Sequence, residues 1–487
     1  MFKSQNGITM ALVIFIIAVI FVCIAVISGN NNIRTNTVIR SGVNEKALMI
    51  AEAGINAYIY QLSQDIEFYR NTSGYHLAGA NASEELGLVP ANTGLPETYR
   101  ITTFRNNGQI MGYYQIRIVQ PTFNKDLVIN STGWTVDDPD LRRTVSVRLK
   151  KNNYLQYLNF SNSSSTFYND DIMDGPVFSN QGITTYGYPK FKSDVITAGI
   201  IESKYGSPTF NGNVLENQPK MIFPTRDKDI KSLGKNEGLY FQGTTCILMQ
   251  NNILKIRNLR LNSYNVNSYN IPDSGIIVVE DGPVFISGVL DGKLTVYCTD
   301  NIYITGKDPT NFSPQDASLT NGIKYKDTRI PGKNSSGSNF SDDMLGLISE
   351  KNILIPTKTW PSDSTGYGYK KYTDSNYANT HIFVNDMEIY AALRAAKNFA
   401  TEDIDADPIY ALADGITGNL KITGSKACEK SMASRDIYGL ALNDGIEAGY
   451  VENNKYDYRF RITQPPYMVN TVDNEWIIKS WSEIPNP

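Results

Sequence analysis

"GIIVVEDGPVFISGVLDGKLTVYCTDNIYITG", residues 275–306, decides how most of this chain folds. Its apolar runs are only four or five residues long. Each ends at Gly, Asn or Asp, residues that close turns and tolerate left-handed backbone. Such strands, each closed by a turn, predict coils stacked in parallel, in which a coil buries its apolar face only against its neighbours. The pattern returns in "LGLISEKNILIP" (345–356) and "GNLKITGS" (418–425). "DGPVF" occurs twice, at 174–178 and 281–285, and "NIYI" and "NILI" repeat a small theme. The period is irregular, so an open sandwich stands beside the coil reading. One late segment reads differently. In "DMEIYAALRAAKNFA" (386–400) Ile389, Leu393 and Ala396 share a helical face and Asp386 is placed as N-cap. This predicts a helix that plugs one end of the strand region and covers its edges.

Towards the N-terminus, "NFSNSSST" (159–166) reads as a linker. Before it, "YYQIRI" (113–118) follows the turn signal Asn107-Gly108, and "LVINSTGW" (127–134) and "RTVSVRLK" (143–150) come next. Val145, Val147 and Leu149 alternate with Ser146, Arg148 and Lys150, the mark of a half-buried strand. Residues 71–98 are polar and read as a loop. Upstream, Leu48, Ala51, Ile55, Tyr58, Ile59, Leu62 and Ile66 recur at spacings of three and four, a helical stripe. Residues 8–27 are apolar except Thr9. As a helix this block spans roughly 30 Å, the hydrocarbon thickness of a bilayer. It is longer than the roughly 7–15 apolar residues of a signal peptide, and no small-x-small cleavage site follows it. The block is therefore expected to stay in the mature chain.

A short leader ending in Gly7, the apolar helix, and "AEAGINAYIYQL" (51–62) about 40 residues later resemble the N-terminus of type IV pilin-like proteins. The likeness is to PilX-type minor pilins and K-type minor pseudopilins. "INSTGW" with "RRTVSVRL" (142–149) is similar to the PilX-type head, a helix followed by antiparallel strands. The resemblance implies that prepilin peptidase cuts between Gly7 and Ile8. It also implies that other pilins pack against the N-terminal helix. Major pilins carry a glutamate where this chain has Leu12. A buried carboxylate needs an opposite charge, and a subunit at a filament tip has no such neighbour above it. Leu12 therefore points to a rare, tip-located subunit. "GPVFSNQGI", "LGLISEKNILI", "GNLKITGS" and "YDYRFRITQPPYM" resemble an uncharacterised domain found behind pilin-like N-termini, a likeness that implies architecture more than chemistry.

The net charge is −4 and the pI about 5.5, which argues against a nucleic-acid partner. Only 19% of residues are charged. Cys246, Cys298 and Cys428 lie far apart with no CxxC spacing; one disulfide and three inert thiols are both open. The two histidines, His76 and His381, have no ligand-spaced neighbour. No P-loop, HExxH, GxSxG or strand-linked GxGxxG occurs. Asp403, Asp405 and Asp407 alternate in a way that can offer oxygens to Ca²⁺, and some K-type pseudopilins bind calcium, but the EF-hand glycine and terminal glutamate are missing. A solvated acidic turn is the plainer reading. Tyr367, Tyr369, Tyr372 and Tyr377 in "TGYGYKKYTDSNYAN" (365–379) offer a sugar-stacking surface, against the plainer reading of an exposed connector.

The sequence thus predicts an α+β chain. A leader (1–7), a transmembrane helix (8–29) and an amphipathic helix (30–70) precede a small antiparallel head (71–158). A large β-rich region (165–470), an irregular parallel solenoid with its helix at 386–400, and a C-terminal tail (471–487) follow. The expected function is non-enzymatic: a minor pilin-like component of a type IV pilus or secretion filament. It would be held in the bacterial inner membrane, with its ectodomain outside facing a surface glycan or host ligand. The alternatives are a membrane-anchored adhesin outside any filament and a solenoid carbohydrate-active enzyme.

Overall fold

The computed structural model describes residues 5–64, 68–70, 88, 98–121, 126–151, 154–223, 230–260, 265–332, 339–363, 366–372, 382–402, 417–430, 432–433, 435–438, 446–468 and 476–485. The chain divides into two compact units. One comprises 1–121, 125–151 and 475–487; the other comprises 122–124 and 152–474.

In the first unit one helix, α1 (Gln5–Gln64), meets an antiparallel sheet. The sheet runs β1 (Thr102–Asn106), β2 (Gln109–Val119), β3 (Leu127–Thr135), β4 (Arg142–Lys151) and then the C-terminal strand Trp476–Ile484. Ala47, Ile50, Ala51, Ile55, Tyr58 and Leu62 form the buried stripe of α1. They pack with Ile116, Ile118, Ile129, Val145, Val147 and Leu149 of the sheet. Small residues set the spacing. A Cβ on Gly133 of β3 would lie 2.4 Å from the Ala51 nitrogen and 2.5 Å from the Ala47 oxygen, so helix and strand touch backbone to backbone. Trp476–Ile484, within the segment read from sequence as a tail, pairs antiparallel with β4, opposite the β3 side. The Arg143–Glu483 ion pair and the Lys479–Asp126 pair at 2.9 Å fasten it.

The second unit consists of short strands in parallel ladders. The longest ladder runs through Leu239–Gln242, Ile276–Glu280, Lys293–Cys298 and Met344–Ser349 to residues 392–395 and 425–428. It continues through Asn159–Ser161, Val177–Ser179, Val195–Thr197 and Val214–Leu215. A second ladder joins Thr245–Asn251, Val284–Leu290, Ile302–Ile304, Ile353–Ile355, Phe399–Thr401 and Met432–Ala433. A third passes from residues 288–290 through Gly322–Tyr325, Asp386–Ala395, Thr417–Cys428 and Ile446–Tyr456 to Ile172–Asp174, Lys190–Phe191 and Thr209–Phe210. Stacking order is therefore not chain order. The strands within 159–215 extend the stack beyond the 417–456 coils, while 239–258 lie at its opposite end. There Thr245–Asn251 turns back antiparallel onto Ile253–Asn258.

The interior is filled by Ile, Val, Leu and Phe from successive rungs, Val279, Val296 and Leu347 among them. Asparagines tie the turns. Asn352 donates from Nδ2 to Asn301 Oδ1 at 3.0 Å, and Asn398 does the same to Asn352 Oδ1 at 3.0 Å. The "NIYI" and "NILI" theme is thus one turn on successive coils, and its side-chain amides form a ladder.

Three expectations are corrected. The fold class is predominantly β, not α+β. The helix expected over 386–400 is instead the strand Asp386–Ala395 followed by Phe399–Thr401. Its neighbours explain this. Met387, Ile389, Tyr390, Ala391, Ala392 and Leu393 are all buried, so both faces are covered and no solvent face exists for a helical stripe. Parallel partners at 346–349 and 419–428 take up the backbone hydrogen bonds, which overrides helix propensity. Finally, among the described residues no helix is long and apolar enough to cross a membrane. The expected membrane anchor is not supported.

Candidate functional site

A surface cleft of about 490 Å³ opens on the second unit, where two neighbouring coils turn. Gly243 and Asp281 sit at the adjacent turns with φ of +81° and +60°. A Cβ on Gly282 would lie 2.5 Å from the Gly243 carbonyl carbon, so the two turns are in backbone contact and form a fixed floor. Arg260 and Asp281 stand on one side, their charged groups 3.9 Å apart and both well exposed. Asp300 is held in place: it accepts from the Asn301 backbone N–H at 2.7 Å and from Lys351 Nζ at 2.9 Å.

The opposite wall comes from a distant loop that contains Tyr367 and Tyr369. Thr244 Oγ1 donates to the Tyr367 carbonyl at 2.8 Å, and the Ser362 N–H donates to the Gly368 carbonyl at 3.1 Å. Gly368, at φ +72°, presses against Leu259 and Thr244, where a Cβ would meet side-chain atoms at 2.8 Å. The Tyr367 ring is 80% exposed, and its centroid lies 6.4 Å from that of Tyr369. Tyr369 is half-buried on Cys246, Phe285 and Tyr303, which steadies the pair from below. The cleft therefore offers an aromatic face beside a guanidinium and the carboxylates of Asp281, Asp300 and Asp363. An aromatic face with a few converging polar groups suits a ligand that has one apolar face and hydroxyls at its rim.

Of the tyrosines singled out from sequence, Tyr367 and Tyr369 meet here. Tyr372 instead packs partly buried near Trp360, under Lys370 Nζ at 4.3 Å, and Tyr377 lies outside the described residues. Asp403, Asp405 and Asp407 also lie outside the described residues, as do His76 and His381. Gly7, Ile8 and Leu12 are helical in backbone, within α1. Arg260, Thr244 and Asp300 escaped the sequence reading, since each is an ordinary residue until the loop at 366–369 folds over it. Asp281 carried a signal, as the first residue of the second "DGPVF". Cys246, Cys298 and Cys428 are free and fully buried. Burial pushes the Cys298 and Cys428 thiols up to about 12 and raises Cys246 as well, which suits inert core thiols.

No family model and no curated protein matches the chain. Among solved structures it is similar to the competence-associated pilin ComZ from Thermus thermophilus at 10% identity. That match covers 91% of this chain and 97% of the other, with a TM-score of 0.29, a likeness too slight to carry an argument.

Proposed function

We propose that the chain is a non-enzymatic, pilin-type filament subunit that carries the coil unit as its surface-active part. One observation carries this reading: a long helix whose C-terminal half is buried on an antiparallel sheet while apolar side chains further up it are exposed. Phe15, Phe21 and Val22 are 69%, 69% and 63% exposed, a strip suited to packing against the helices of other pilins. Leu12 in place of the pilin glutamate supports a low-copy, terminal position. The test is co-expression of the full chain with a prepilin peptidase, followed by N-terminal sequencing. A mature chain beginning at Ile8 is expected; a chain that still begins at Met1 would defeat the proposal.

The cleft favours a second reading, compatible with the first, in which the coil unit binds a surface glycan by stacking a sugar ring on Tyr367. Loss of one such contact is worth roughly 0.5–1.5 kcal/mol, or about 2- to 10-fold in affinity. On a glycan array, Tyr367→Ala is expected to weaken whichever sugar the intact chain retains by that factor. Unchanged binding would exclude the tyrosine wall. Release of shortened sugars would favour the carbohydrate-active enzyme instead.

A further inference from the structure

Lys426, Glu452 and Asn454 meet inside the coil unit, with 1%, 5% and 0% of their surface exposed. Lys426 Nζ lies 2.6 Å from Glu452 Oε2. Asn454 Nδ2 donates to the same oxygen atom. Asn454 Oδ1 accepts from the Ile422 backbone N–H at 3.0 Å. The Phe399 ring lies 5.3 Å from Nζ, and Met173 Sδ is 3.7 Å from Nδ2. One carboxylate oxygen therefore holds an amine and the amide nitrogen of a neighbouring side chain together, with a backbone donor on the amide carbonyl and apolar groups around them.

A buried ion pair adds little stability by itself, because the cost of desolvating both charges offsets their attraction. The arrangement is suited to a reaction. We propose that Lys426 and Asn454 form an intramolecular amide, with Glu452 as the proton carrier. Glu452 takes a proton from the Nζ ammonium. The free amine attacks Asn454 Cγ, and the oxyanion is stabilised by the Ile422 N–H. The Nζ–Cγ bond forms and the Cγ–Nδ2 bond breaks. Two protons leave Nζ and end on the departing nitrogen, by way of Glu452, so that ammonium leaves and Glu452 is regenerated. No oxidant or second reactant is needed. Fixed neighbours supply the effective concentration, and burial keeps water from competing for the carbonyl.

The bond would join the coil at 417–428 to the coil at 446–456 covalently, at the point where the 159–174 strands stack onto both. That is a staple between two successive coils, both of which support strands from a distant part of the chain.

Intact mass of the purified full chain tests this. The expected mass, for whatever N-terminus is found, is that of the sequence less one ammonia. Peptide mapping is expected to show a branched species linking the peptides that contain Lys426 and Asn454. Lys426→Arg and Glu452→Gln should restore the full mass, and Asn454→Asp should lose one water instead. A wild-type mass equal to the sequence would overturn the proposal. So would an ammonia loss that maps elsewhere, such as a succinimide at Asn107-Gly108, which persists in Lys426→Arg. The wild-type map decides the matter even if a variant fails to fold.

Discussion

Replacing Asp457 with alanine is expected to destabilise the coil unit by about 3–5 kcal/mol, the cost of stranding a buried charge. Asp457 is 0% exposed and Arg459 is 2% exposed. The two form a forked pair, Nε to Oδ1 at 3.0 Å and Nη2 to Oδ2 at 2.7 Å. Asp457 also caps the short helix Tyr458–Arg461 by accepting from the Arg459 N–H. The third guanidinium nitrogen, Nη1, donates to the Ser341 carbonyl at 2.5 Å, which ties this turn to a loop more than a hundred residues away. With Asp457 gone, the guanidinium keeps its charge in a site closed by Tyr325, whose ring centroid lies 5.4 Å away. Removing both partners, as Asp457→Ala with Arg459→Leu, should cost less than the single change, because no charge is then stranded. Urea unfolding followed by circular dichroism reads both. A single variant within about 0.5 kcal/mol of wild type would show that water reaches the arginine and that the pair is not the buried lock described.

What the sequence disclosed was local. The alternation at Val145, Val147 and Leu149 is legible and is the face buried against α1. The Asn-led theme at 301 and 352 is legible, and its side chains ladder. The error over 386–400 is physical. An apolar run of alanines, leucine and isoleucine suits a helix and a two-sided buried strand equally, and only the partners decide. Those partners are 46 residues away on one side and 33 on the other. The cleft was half legible. Its tyrosines stand out, but Arg260 and Asp300 become meaningful only when Thr244 catches the Tyr367 carbonyl. The Lys426, Glu452 and Asn454 cluster left no motif at all, since its geometry depends on parallel register between separate coils. Nor could the order of the stack be read, because nothing near residue 159 records that it will pair with residue 426.

That hidden order makes one cut unusually damaging. Divided near Gly306, the coil unit is expected to give two fragments that each fail to fold. In an ordinary stack, where chain order and stacking order agree, such a cut would leave two shorter stacks, each with one new exposed face. Here the N-terminal fragment would hold both ends of the stack and none of its middle. Asn159–Ser161 and Ile172–Asp174 rest on Thr417–Cys428 and Ile446–Tyr456, and Lys293–Cys298 rests on Met344–Ser349. All of those supports lie in the other fragment. Phe160, Met173, Val296 and Ile302, each fully buried, would lose a neighbouring rung. At roughly 1.5–3 kcal/mol for each large apolar side chain returned to water, a few such losses exceed the stability of a typical domain. The C-terminal fragment would fare no better, with apolar rungs bared at both of its ends. Parallel strands also gain nothing from local pairing, and the local antiparallel pairings among the described residues, at 245–270, 359–371 and 435–449, are too short to serve as a core for either fragment. The fragments expressed apart should aggregate, while the uncut chain melts cooperatively. Thermal melting and light scattering read this directly. Two soluble, separately melting monomers would mean that the ladders through 159–174 and 417–456 do not form in solution, and the stacking order would have to be redrawn.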